Sequence, residues 1–118
     1  RFGMPPVSLR DELHLNPQEF NRRFKGSPIK RAKRRGYLRN VAIALGNMEK
    51  PETVLALSQS LMDNEALVRG HAAWALGQIG GQAAYQALQA AQKSETDHFV
   101  HNEIQQSLTH IKDHSQTA

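Results

Sequence analysis

The chain contains no cysteine, which excludes a disulfide scaffold, a thiolate zinc site and a cysteine-ligated iron–sulfur cluster within these 118 residues. It fits a reducing, cytoplasmic setting. No apolar run approaches the roughly 18 to 20 residues that cross a bilayer, and the opening RFGMPPVSLRDEL lacks an apolar signal core. A soluble protein without a membrane partner is therefore expected. Aromatic residues make up only 6% of the chain, and no stretch alternates apolar with polar residues for long enough to make a strand. A glycine-rich phosphate loop, a serine elbow and a carboxylate pair flanking a histidine are all missing. Nothing in the sequence looks like an active centre.

Acid is also missing from one long stretch: no Asp or Glu lies between Phe20 and Met48. Nine of the fifteen Lys and Arg residues fall inside that stretch, in RRFKGSPIKRAKRRGYLR from Arg22 to Arg39. The segment carries +9 in a chain of net +4, so the remainder sums to −5. This is a local patch, and its natural partner is a polyanion with regularly spaced phosphates. Six of the nine are arginine, which favours planar bidentate contacts to phosphate. Drawn as a helical wheel with Ile29 towards the core, Ala32 and Gly36 return to that side while Lys30, Arg31, Arg34 and Arg35 fan across the opposite face. Lys33 lies near the apolar edge. An acidic membrane would want large apolar side chains opposite the cations, and Ile29 has only alanine and glycine beside it.

Helical signals run through the rest. Asn16-Pro17-Gln18-Glu19 reads as an N-cap, a first-turn proline and a capping-box acid, opening a helix from Pro17 to Lys25 that Gly26 stops. Further helices are expected over Ile29–Arg35, Tyr37–Asn47, Pro51–Met62, Glu65–Ile79, Gln82–Gln92 and Asp97–Lys112, with Gly80-Gly81 as a turn and a frayed tail over 113–118. They repeat. Arg39–Met48 superposes on Gly70–Ile79 at a shift of 31, with Ala-Leu-Gly in register, and Val68, Ala72, Leu76 and Ile79 fall on Val100, Ile104, Leu108 and Ile111 at a shift of 32. Two helices per unit at this period mark an all-α solenoid, in which stacking creates the shared core. About three helical pairs are expected over 16–112, after a short lead-in over 1–15. The chain begins with Arg, and Pro5-Pro6 reads as a linker, so a fragment of a longer protein is expected.

The phrase DNEALVRGHAAWALGQIG, Asp63 to Gly80, resembles the HEAT-like repeats, with their acidic turn, Val-Arg step and Ala-Leu-Gly helix. Val68, Ala72, Ala75, Leu76 and Ile79 form its core stripe. Arg69 is expected to pair with the Asp63 carboxylate and brace adjacent repeats, with a phosphate contact as the lesser reading, and Trp74, equivalent to Ile43, is expected to pack, with base stacking as the lesser reading. Asn40 and His71 occupy equivalent positions and could line one surface. His98 with His101 and His110 with His114 have no organised carboxylates beside them, so a surface cluster is favoured over a metal site.

More specifically, the lead-in Phe20-Asn-Arg-Arg-Phe24 and the run FKGSPIKRAKRRGYLRNVAIALGN from Phe24 to Asn47, followed by VRGHAAWALG, are similar to the C-terminal region of the epoxyqueuosine reductases. That resemblance implies a cytoplasmic oxidoreductase acting on a queuosine precursor in tRNA, with a cobalamin and two 4Fe-4S clusters held in an N-terminal catalytic portion that this chain lacks. The share left to this chain is to hold the tRNA anticodon stem-loop, without catalysis of its own. The expected RNA-binding residues are Arg22, Arg23, Lys25, Lys30, Arg31, Lys33, Arg34, Arg35, Arg39, Asn40 and His71. A solenoid binding an acidic peptide on its concave face is the alternative, and the steepness of the salt dependence separates the two.

Overall fold

A computed structural model of the chain describes residues 9–26 and 28–116, with side chains over 9–26 and 33–114. Seven helices occupy the described residues: α1 (Leu9–Glu12), α2 (Pro17–Arg23), α3 (Pro28–Met48), α4 (Val54–Ser60, entered through a 3-10 turn at Pro51–Thr53), α5 (Ala66–Ile79), α6 (Gln82–Ser94) and α7 (His98–Gln116). No strand occurs among the described residues. The all-α expectation holds, and α7 runs on past Lys112.

Local chemistry explains the boundaries. At α2 the Asn16 side chain accepts from the Glu19 N–H at 2.8 Å while Glu19 accepts from the Asn16 N–H at 3.1 Å, the reciprocal box expected from the sequence. Pro51 opens the 3-10 turn, where its missing N–H is no loss. Within α3 the backbone leaves helical geometry at Lys33 (φ 71°, ψ 155°). The interruption therefore falls before Arg34, and Gly36 is helical and buried.

The helices pair as α2–α3, α4–α5 and α6–α7, in two layers. Helices α3, α5 and α7 pack side by side with α5 in the middle, while α4 and α6 touch one another along the other side. The extents of 47 × 30 × 17 Å match an elongated slab two helices thick. Close approach within the α3–α5–α7 layer depends on small residues at equivalent repeat positions. A Cβ on Gly46 would stand 2.6 Å from Trp74 Cζ3, and one on Gly77 would stand 2.5 Å from Ser107 Oγ. Ser107 Oγ in turn donates to the Ala73 carbonyl at 2.9 Å, tying α7 to α5. Val68, Ala72, Ala75 and Leu76 are fully buried as the stripe predicts, and Ala72, Ala75 and Leu76 join Leu45, Leu57, Leu88, Val100 and Ile104 in one continuous core. Ile79 is only partly buried at its edge.

Residues 9–15 are docked onto the repeats. Glu12 and Leu13 are 3% exposed, and α1 packs against α3 and α4. Phe20, Phe24 and Tyr37 form an aromatic triad with centroids 4.9 to 5.8 Å apart that seats α2 on α3.

Candidate nucleic-acid interface

Two arginines of the basic run are structural. Arg34 donates from Nη1 to Asp63 Oδ1 at 3.2 Å, from Nη2 to Asp63 Oδ2 at 2.5 Å and from Nε to the Leu15 carbonyl at 2.7 Å. Its side chain is 16% exposed and that of Asp63 is 9% exposed. The expectation that Arg34 faces away from the core is corrected, and the cause is the break at Lys33: a wheel phased from Ile29 does not continue past a non-helical residue. Phased instead from Leu38, Val41 and Leu45, which are buried, Arg34 lies on the inward row at i, i+4, i+7 and i+11.

Arg23 is the second. It donates to Glu12 Oε2 at 2.6 Å, and its guanidinium lies 5.1 Å from the Phe24 ring centroid. Tyr37 donates from its hydroxyl to the other oxygen of the same carboxylate. Hydrogen bonding to Glu12 raises the Arg23 pKa further above its ordinary value, against the opposing effect of burial. The buried Glu12 is thereby satisfied, as a charge removed from water must be.

Arg69 also departs from expectation. Its guanidinium grips the Glu95 carboxylate at 2.9 and 3.0 Å and donates to the Asp63 and Asn64 carbonyls at 2.8 and 3.2 Å. It therefore pairs with Glu95 and not with the Asp63 carboxylate, which Arg34 already holds. Asp63 and Glu95 are 32 residues apart, one repeat, and each turn acid takes an arginine from the preceding unit. Each also accepts an N–H two residues on, from Glu65 and Asp97 respectively. Burial pushes Glu95 up, but the Arg69 guanidinium and the Asp97 N–H outweigh it and hold the carboxyl below the usual range. This brace was legible as an acid recurring at the repeat period.

The other described cations of the run lie outside these ion pairs. Arg22, Lys25, Lys33 and Arg35 are exposed and Arg39 is half-buried, and none of the five joins a salt bridge among the described residues. Arg39 donates from Nε to Asn40 Oδ1 at 3.2 Å, which leaves its other donors available. Lys30 and Arg31 have side chains outside the described ones. Asn40 is exposed, and His71 is half-buried with Nδ1 2.9 Å from the Leu67 carbonyl. Along α3 the row Arg35, Arg39, Ile43 repeats every four residues and so shares one side of the helix. That row leads to a 270 Å³ pocket lined by Ile43, His71, Trp74 and Glu103, and Asn40 is not among its lining residues. Sequence reasoning missed Glu103, whose counterpart one repeat earlier, 32 residues back, is His71, so no acid recurs there. No helix among the described residues is long and apolar enough to cross a membrane.

Residues 31–109 match the model of the HEAT repeats, and the chain belongs to that family. Its similarities are narrower than the family alone. It is 51% identical over 81 residues to an epoxyqueuosine reductase of Xanthomonas campestris, covering 68% of this chain and 23% of that protein. To the epoxyqueuosine reductase of Pseudomonas aeruginosa it is 42% identical over 81 residues, covering 68% and 22%. The fold matches, at a TM-score of 0.82 and 27% identity, an epoxyqueuosine reductase solved with an epoxyqueuosine-modified tRNA-Tyr stem loop, over 88% of this chain and 28% of that one. The chain thus spans about a quarter of the length of these relatives.

Its own residues do not fit the metal chemistry the resemblance implies. The chain has no thiolate to ligate a 4Fe-4S cluster, and among the described residues no three His, Asp or Glu side chains converge as metal ligands.

Proposed function

We propose that this chain is a non-catalytic RNA-holding domain of a cytoplasmic epoxyqueuosine reductase, gripping the anticodon stem-loop of a tRNA while cobalamin and iron–sulfur chemistry proceeds in an N-terminal catalytic portion. The observation that carries this reading is the sorting of the basic run. Arg23 and Arg34 are consumed internally, while Arg22, Lys25, Lys33, Arg35 and Arg39 have no carboxylate partner among the described residues. Like charges held together without acids between them repel, and a surface serving only solubility would mix signs. The relative solved with a modified tRNA stem loop supports an RNA partner. A solenoid also has no projecting recognition helix to fill a DNA major groove. The work assigned to the domain is orientation: binding energy gathered along the phosphates fixes the wobble base relative to a distant reacting centre.

The test is a titration of the chain with a tRNA-Tyr anticodon stem-loop at several salt concentrations. Replacing Lys33, Arg35 and Arg39 together by Glu is expected to weaken binding at least about tenfold at low salt and to flatten the salt slope by roughly 0.7 to 0.9 for each phosphate no longer neutralised. Arg34 is left out, since its removal would confound binding with folding. Unchanged affinity and slope in a folded triple variant would sink the reading, and tight, salt-insensitive binding of an acidic peptide would replace it.

A further inference from the structure

The pocket at the end of the Arg35–Arg39–Ile43 row has a chemistry of its own. Its walls are Ile43 from α3, His71 and Trp74 from α5 and Glu103 from α7, around 270 Å³. Trp74 is half-buried, with Cζ3 of its six-membered ring 2.6 Å from where a Gly46 Cβ would stand, so the indole packs against α3 while it lines the pocket. Packing thus fixes the ring before any ligand arrives. His71 is equally constrained. A carbonyl can only accept, so its contact with Leu67 makes Nδ1 the donor and orients the ring. Phe99, 40% exposed, stands 5.7 Å from the His71 ring and extends the aromatic surface beyond the pocket. Glu103, half-buried, adds a carboxylate that carries no salt bridge among the described residues.

A fixed indole, an oriented imidazole and a carboxylate at the end of a basic row meet the requirements for reading a splayed-out base, whose ring stacks while its edge donates. We propose that this pocket takes one unstacked nucleobase bearing an amino group on its pairing edge, guanine above all, stacked on Trp74 with Glu103 accepting from that edge. The proposal rests on the RNA-binding reading above and adds a site of base discrimination to it. Guanine presents N–H and NH2 donors side by side, which match the two oxygens of a carboxylate. Uracil presents one donor between two carbonyls, which Glu103 repels. The backbone contacts made by Arg35 and Arg39 carry no sequence information, so any base preference on this face has to come from such a pocket.

Trp74 is the only tryptophan of the chain, so its fluorescence reports the site directly. Short U-tract RNAs with and without one guanine serve as probes of the full chain. The guanine-bearing RNA is expected to quench Trp74 and to bind at least about fivefold tighter, the low end for one well-made edge contact. Glu103→Gln should abolish that preference and leave the salt slope intact. Trp74→Leu should weaken the guanine-bearing RNA about tenfold and the all-U RNA less, read by anisotropy of labelled RNA, and Trp74→Phe should recover most of the affinity. RNA binding without quenching, or a guanine preference that survives Glu103→Gln, overturns the pocket while the basic interface stands. Failure of both RNAs to bind at low salt overturns the interface and the pocket together. Should Trp74→Leu fail to fold, the Glu103→Gln comparison decides alone.

Discussion

Replacing Arg34 by alanine separates a structural arginine from its neighbours in the basic run. In the folded chain the Arg34 guanidinium satisfies both oxygens of Asp63 and the carbonyl of Leu15, with both side chains largely out of water. Truncation leaves a carboxylate that is 9% exposed with one remaining donor, the Glu65 N–H at 2.9 Å. Breaking a buried pair from one side costs about 3 to 5 kcal/mol because the survivor is left unpaired. The retained Glu65 N–H puts this case near the lower end, about 3 kcal/mol, or roughly 10 °C or more in Tm for a domain of this size. The substitution also undocks Leu15, so the lead-in should become more sensitive to protease. Arg35→Ala, one residue away and exposed, should stay within about 0.5 kcal/mol. Urea unfolding followed by circular dichroism measures both, and a cycle with Asp63→Ala should return a coupling of about 2 to 3 kcal/mol. A destabilisation below about 1 kcal/mol for Arg34→Ala with an unchanged m value would refute the brace.

Gly77→Ala should destabilise the fold by roughly 1 to 3 kcal/mol, because the new Cβ would meet Ser107 Oγ at 2.5 Å and the Ser107 backbone Cα at 3.0 Å; thermal melts test it, and a neutral result would mean α5 and α7 separate freely. Leu76→Ala should cost about 2 to 5 kcal/mol from a fully buried position, read by the same urea titration. Glu95 has a depressed folded-state pKa, so its contribution is complete above the unfolded value of about 4.3 and is lost as pH falls below that through the folded value. Unfolding free energy measured against pH should therefore drop more in the wild type than in Glu95→Gln over that acidic window.

The repeat architecture was legible because packing writes itself into a period. The Ala-Leu-Gly steps at Leu45-Gly46 and Leu76-Gly77 recur since each helix of the α3–α5–α7 layer needs a small residue where its neighbour crosses. The α2 start was equally readable, since a capping box is a local contact between residues three apart. What could not be read was the direction of Arg34. Its orientation depends on a backbone departure at Lys33 that no residue type there announces, a positive φ at a lysine being uncommon. A wheel is only as good as its starting phase, and counting back from the dense apolar row of α3 was safer than counting forward from the isolated Ile29. The Arg69 partner was misread for a different reason: Asp63 is near in sequence, but a carboxylate one repeat away is nearer in space.

The distribution of charge around α3 bears on why the patch exists at all. No acid occupies the first turn of α3 and no cation its last, the reverse of what the helix macrodipole favours. Arg34 and Arg35 stand at the start of the regular stretch that follows Lys33, where positive charge is least welcome. Arg34 is compensated by Asp63, but Arg35 is compensated by nothing among the described residues. A sequence selected only for folding would place an acid at such a position. An anionic partner removes the penalty, since unpaired amides and side-chain cations at a helix start attract phosphate together. The region least favourable to the isolated fold is therefore the region where a phosphate backbone would add most, and bound RNA should stabilise the α2–α3 end of the solenoid more than the α6–α7 end.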